Sequence, residues 1–109
     1  MAFYELMFIA RQDLAPAQVE ELTKGYEKVI VDNGGKVHFT DHMGLRTLAY
    51  RISKNRKGHY VLMELDTPPA ALHEMERLMR LSEDVLRSMS IRIDELTDKT
   101  VKEEEKEAA

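Results

Sequence analysis

The chain has no cysteine, which excludes disulfides and thiolate metal sites and suits a reducing compartment. It has no apolar run near the ~20 residues that a membrane span requires. The opening Met1-Ala-Phe-Tyr-Glu5 lacks the basic stretch and apolar run of a signal peptide, so a cytoplasmic location is expected. There is no HExxH, no EF-hand loop and no P-loop; Gly34-Gly35 reads as a helix stop. The histidines are His38, His42, His59 and His73. His38 and His42 are read onto one strand face, where four residues span ~13 Å, too far for one metal ion. Surface or hairpin-lining roles are expected for the histidines. Serines 53, 82, 88 and 90 have no evident base beside them, and the seven methionines fall mostly on core-facing stripes. No cofactor, metal or catalytic set is expected, and the chain does not read as an enzyme.

The most informative lack is local. No acid occurs between Asp41 and Glu64, while Arg46, Arg51, Lys54, Arg56 and Lys57 all fall in that gap, with Tyr50, His59 and Tyr60 among them. The stretch reads as a strand, a basic turn over Lys54 to Gly58, and a second strand. Cations without counter-charges mark a surface for a polyanion, most often nucleic acid. Charge alone does not separate this from a solvated loop. The net charge of −4 hides the feature, because residues 93–109 carry seven acids against three bases. Residues 1–92 therefore balance at zero, with a basic hairpin inside a neutral body.

At 109 residues one folded unit is expected. Phe3 to Ala10 is almost wholly apolar and reads as a central strand covered on both faces, with Leu6 and Phe8 pointing one way and Met7 and Ile9 the other. Pro16 opens a helix whose stripe is Val19, Leu22, Tyr26, Val29 and Ile30, ended by Gly34-Gly35. Residues 36–52 form a long strand bent at Gly44, and residues 59–66 return. Pro68-Pro69 opens a second helix carrying Leu72, Met75, Leu78 and Met79; residues 85–93 are the last strand. The order predicts an α+β, ferredoxin-like split β-α-β fold: four antiparallel strands with both helices on one face. The expected boundaries are a folded RNA-binding domain at 1–94 and an acidic mobile tail at 95–109. One sheet face is left without helices. Val85, Met89, Ile91 and Ile93 put apolar groups on the last strand, though Leu86 has the opposite parity, so a partner is expected on the open face.

Lys57-Gly58-His59-Tyr60-Val61 is superficially similar to the central motif of RNA-recognition-motif domains, which share this topology. Only the Lys-Gly pair fits well; His59 would stand in for the first aromatic and Val61 replaces the second. A fuller resemblance lies in Gly44-Leu-Arg-x-Leu-Ala-Tyr-x-Ile52 followed by Lys54, Gly58 and Tyr60. With Tyr4-Glu5 before the first strand, Pro68 at the second helix and Val85-Leu-Arg-Ser-Met89, it resembles the ribosomal protein S6 family of the bacterial small subunit over residues 2–93. The resemblance implies a ferredoxin-like fold that binds the central domain of 16S ribosomal RNA as a heterodimer with ribosomal protein S18. It marks Tyr4, Arg46, Tyr50, Lys54, Arg87 and Arg92 as RNA-binding; the charge pattern adds Arg51, Arg56 and Lys57. Some family members are extended by C-terminal glutamates, whereas this chain ends Ala108-Ala109.

Arginine forks onto phosphate oxygens, lysine acts as a point charge, and tyrosine stacks or hydrogen-bonds. A structural ribosomal protein is therefore the expected function. One alternative is a free RNA-recognition module, which needs exposed aromatics at the stacking positions. Another is a small enzyme of the acylphosphatase kind, which needs an anion cradle with Arg and Asn near the first strand, where this chain offers Arg11-Gln12-Asp13.

Overall fold

Six elements follow in the order β1 (Ala2–Arg11), α1 (Pro16–Asp32), β2 (Lys36–Ile52), β3 (Asn55–Thr67), α2 (Pro69–Leu81) and β4 (Val85–Ile93). The computed structural model describes residues 2–52 and 54–96. The strands form one sheet in the order β2-β3-β1-β4, and every neighbouring pair is antiparallel. The two most buried strands, β1 and β3, take the middle, where both edges are hydrogen-bonded.

Alternation decides what each strand buries. Leu6, Phe8 and Ala10 of β1 and Val61, Met63 and Leu65 of β3 lie on one face at 0% exposure. Against them pack Val19, Tyr26 and Ile30 of α1 and Ala71, Leu72, Met75 and Met79 of α2. Burying each large apolar side chain contributes about 1.5–3 kcal/mol. Phe8 meets Tyr26 edge to face at 5.6 Å. Both helices thus lie on one side, and the expectation that β1 is covered on both faces holds for only one. On the other face Ile9 is buried, while Phe3, Glu5 and Met7 are half-buried.

Helix α1 begins at Pro16, whose missing N–H costs nothing in the first turn. Ala15 has no side-chain acceptor to offer. Its own N–H donates to Gln18 Oε1 at 2.7 Å, which steadies the entry. The helix ends through Asn33 and Gly34, the latter at φ +89°, and Gly35 N–H donates to the Ile30 carbonyl at 2.8 Å. Gly35 must also be glycine for space, since a Cβ there would run into Thr67 and Ile30.

Irregularities in the ladders correct three expectations. A bulge between Val37 and Phe39 breaks the parity of β2, so His42 lies opposite Val61 on the helix side. His38 instead stacks on the Phe39 ring, and Phe39 lies opposite Glu64 on the open side. The two histidines do not share a face. A shift between Ile9 and Ala10 likewise turns Val85 toward the helix-side core, leaving Met89, Ile91 and Ile93 as the apolar residues of the open face. Finally, β3 starts at Asn55, and Ile52 pairs with Asn55. Arg56 and Lys57 are therefore strand residues and not part of a turn. The expected boundary after residue 94 falls just past β4. The acidic tail from residue 97 onward lies outside the described residues.

Candidate nucleic-acid interface

The β2–β3 hairpin carries the site. Its ladder shifts at Val37/Phe39 and His42/Gly44, runs regularly from Gly44 to the Thr47–Lys57 pair, breaks again, and resumes at Ile52–Asn55. Close packing lies beside the break. Gly58 has no side chain, and Ile9 and Leu48 both pack over it; a Cβ there would run into Ile9. Leu48 is drawn in until only 8% exposed, while nearby Tyr50 is left 83% exposed. Lys54 reverses the chain at φ +67°, a left-handed conformation that costs a lysine about 1–2 kcal/mol.

The hairpin is pinned near its turn by the β1–α1 loop. Gln12 N–H donates to Asn55 Oδ1 at 3.1 Å, and Lys57 N–H donates to Gln12 Oε1 at 3.2 Å. Asn55 Nδ2 donates to the Ile52 carbonyl at 3.2 Å. Sequence reading missed Gln12 and Asn55 as hairpin anchors. Neither has a periodic or charge signature, and they lie 43 residues apart.

Arg46, Arg51, Lys54, Arg56 and Lys57 are all exposed. Arg46 lies opposite Gly58, and its Nε donates to the Met43 carbonyl at 3.3 Å. Among the described residues the ion pairs are Arg11–Asp13, Arg11–Asp84, Lys28–Asp32 and Arg77–Glu74, and none involves a hairpin cation. Arg87, exposed on β4, lies opposite Ile9 and so joins this end of the sheet. Together with Tyr50, Arg51 and Tyr60 it lines a hollow of about 380 Å³ floored by Ile9 and Leu48. Tyr4 and Arg92 do not join the group. They face each other five residues further along β1, roughly 16 Å away, and Tyr4 packs against the helix-side core. Seven of the nine expected site residues are thus gathered at one end, and two stand apart.

The residues that would support other chemistry are committed elsewhere. His59 is buried, its Nε2 2.8 Å from the Leu14 carbonyl. A carbonyl only accepts, so Nε2 carries the proton and His59 fastens the β1–α1 loop; it is not a surface histidine. Because His59 and Val61 share the helix side, the stacking positions of an RNA-recognition motif are turned inward, and Tyr60 is the aromatic on the open face. Arg11 donates from Nε to Asp84 at 2.8 Å and pairs with Asp13 at 2.5 Å. The hydrogen bond to Asp84, more than any other influence, holds its guanidinium pKa above the ordinary range. Two carboxylates neutralise it, so it cannot cradle an anion as an acylphosphatase would require. Among the described residues no cluster of three His, Asp or Glu could hold a metal ion. No helix among them is long and apolar enough to cross a membrane.

The family model of ribosomal protein S6 matches residues 3–92. A small ribosomal subunit protein bS6 of Bartonella bacilliformis is 60% identical over 94 residues, which are 86% of this chain and 69% of that one. Its counterpart in a Methylobacterium strain is 56% identical over 96 residues, covering 88% of this chain and 72% of the relative. The crystal structure of 30S ribosomal protein S6 from Thermotoga maritima superposes with a TM-score of 0.78 at 26% identity, covering 98% of this chain and 96% of that one.

Proposed function

Because the chain belongs to the ribosomal protein S6 family of the small ribosomal subunit, we propose that it binds the central domain of 16S ribosomal RNA as a heterodimer with ribosomal protein S18, through its basic hairpin. Membership makes it a structural protein of the ribosome, in the cytoplasm, with ribosomal RNA as a partner and no enzymatic activity. The finer reading rests on one observation: Arg46, Arg51, Lys54, Arg56 and Lys57 stand exposed, with no ion pair to an acid among the described residues, beside Tyr50 and Arg87.

The charge balance supports a paired mode of binding. Phosphate neutralisation dominates RNA affinity, and a neutral body with one basic arm neutralises few phosphates. A basic partner bound first supplies the missing charge. The open sheet face around Met89 and Ile91, 54% and 59% exposed, is the surface we assign to that partner. Arg92 and Tyr4 form a second, smaller RNA contact at the opposite end of β1 and β4. Residues 94–109, with seven acids against three bases, carry the whole net charge of −4.

The test is RNA binding by the chain alone and with S18, over a salt series. Binding alone is expected to be undetectable or lost at physiological salt, and to tighten sharply when S18 is added. Tight binding by the chain alone at physiological salt would contradict the paired mode.

A further inference from the structure

We propose that the hollow between the hairpin and β4 seats a single unpaired nucleobase, with the adjoining phosphates held by Arg51 and Arg87. This deepens the RNA-binding reading and rests on it. The hollow has about 380 Å³ of space. Its floor is apolar and closely packed, Ile9 and Leu48 being 6% and 8% exposed. Tyr60 stands in the wall, half-buried, and Tyr50 stands at the rim in solvent. Two arginines, Arg51 and Arg87, line it, and among the described residues no Asp or Glu does.

That combination selects its occupant. An aromatic or aliphatic side chain from another protein could fill the apolar floor, but it would bring two cations together with nothing to neutralise them. A nucleotide brings a flat ring for the floor and the tyrosines, and an anion for each arginine. A paired base cannot enter, because duplex RNA shows only base edges in its grooves; an unpaired one can turn its face out. Stacking of this kind tolerates any base. A second hollow, about 320 Å³ between the hairpin and α1, makes the contrast. Among the described residues it is lined by Glu20, His42 and His59 and by no lysine or arginine, so it does not suit a phosphate. Tyr50 also does little for the fold, since most of its surface remains in water. Its placement is explained by what it meets.

The experiment uses the full chain and small subunits assembled without it. Wild type, Tyr50→Phe, Tyr50→Ala and Arg87→Ala are titrated onto those subunits, and the complexes are irradiated with ultraviolet light to join stacked aromatics to RNA. Tyr50→Phe keeps the ring and should bind like wild type. Tyr50→Ala should bind roughly 5- to 150-fold more weakly, the range for losing one base–aromatic stack. Arg87→Ala should weaken binding and make its salt dependence shallower. The cross-link should join Tyr50 or Tyr60 to one unpaired nucleotide. If wild type enters the subunits but Tyr50→Ala enters equally well, the seat is overturned while the family reading stands. A cross-link from these tyrosines to a protein would overturn it in favour of a protein occupant. Failure of wild type to enter at all would overturn the RNA reading and the seat with it.

Discussion

The two faces of the same four strands have opposite fates. On the helix side Leu6, Phe8, Val61, Met63 and Leu65 are wholly buried; on the open side Met89, Ile91 and, along the hairpin, Tyr50 are more than half exposed. Neighbouring residues of one strand thus serve stability and contact in turn, and a shift of one residue would exchange the roles. The comparison predicts which substitutions unfold the protein and which only disarm it.

The largest effect is expected in the covered face. Phe8→Ala removes a fully buried ring that meets Tyr26 and should cost about 3–5 kcal/mol in denaturant unfolding. Met89→Ala on the open face should stay within about 1 kcal/mol, because most of that side chain is already in water. Equal losses would erase the distinction between the faces.

Next comes the hairpin. In Arg46→Glu with Lys54→Glu, each reversal removes a phosphate contact and adds repulsion. Charge-assisted hydrogen bonds contribute ~1.5–3 kcal/mol each, so partner-assisted RNA binding should weaken at least ~100-fold. Its salt slope should become shallower. Circular dichroism should be unchanged, since exposed charges add little to stability. A folded double variant that binds RNA with wild-type affinity and slope would make these cations a solvated loop.

A smaller effect is expected at the anchor between the two regions. Gln12→Ala deletes the acceptor for Lys57 N–H, a bond at 3.2 Å worth about 1 kcal/mol. Amide exchange at Lys57 should quicken roughly 5-fold while that of buried Met63 stays at the global rate. Unchanged exchange at Lys57 would mean that the turn end of the hairpin is held without Gln12.

Much of this was legible in the chain, for physical reasons that also explain the misses. Pro16 and Gly34 punctuate α1, the stripe from Val19 to Ile30 has helical period, and the order of elements leaves few topologies. The bulges beside Phe39 and Ala10 were not legible, because an extra residue reverses parity without leaving a mark in composition. The sequence places the turn too late because Arg56 and Lys57 look like loop residues, whereas both already lie in β3. Charge pattern located the cations of the hairpin. The hollow could not be read, since Ile9 and Arg87 meet only through the β1–β4 register and are 78 positions apart in sequence.

Lys54 offers the smallest and most pointed test. Its φ of +67° is a conformation glycine accepts readily and lysine does not. If the turn existed only to reverse the chain, glycine would serve it better. Lys54→Gly should therefore raise stability, by about 0.5–1 kcal/mol once the greater freedom of unfolded glycine is subtracted. The same change removes one exposed cation, so partner-assisted RNA binding should fall and the salt slope should shrink by nearly one unit. Stability and binding would then move in opposite directions at a single residue, which marks strain kept for the sake of contact. A variant that is more stable and binds RNA as well as wild type would leave the strain at Lys54 without a function. A variant that loses both would show that the lysine side chain holds the hairpin together, and the open region would then contribute to the fold as the covered one does.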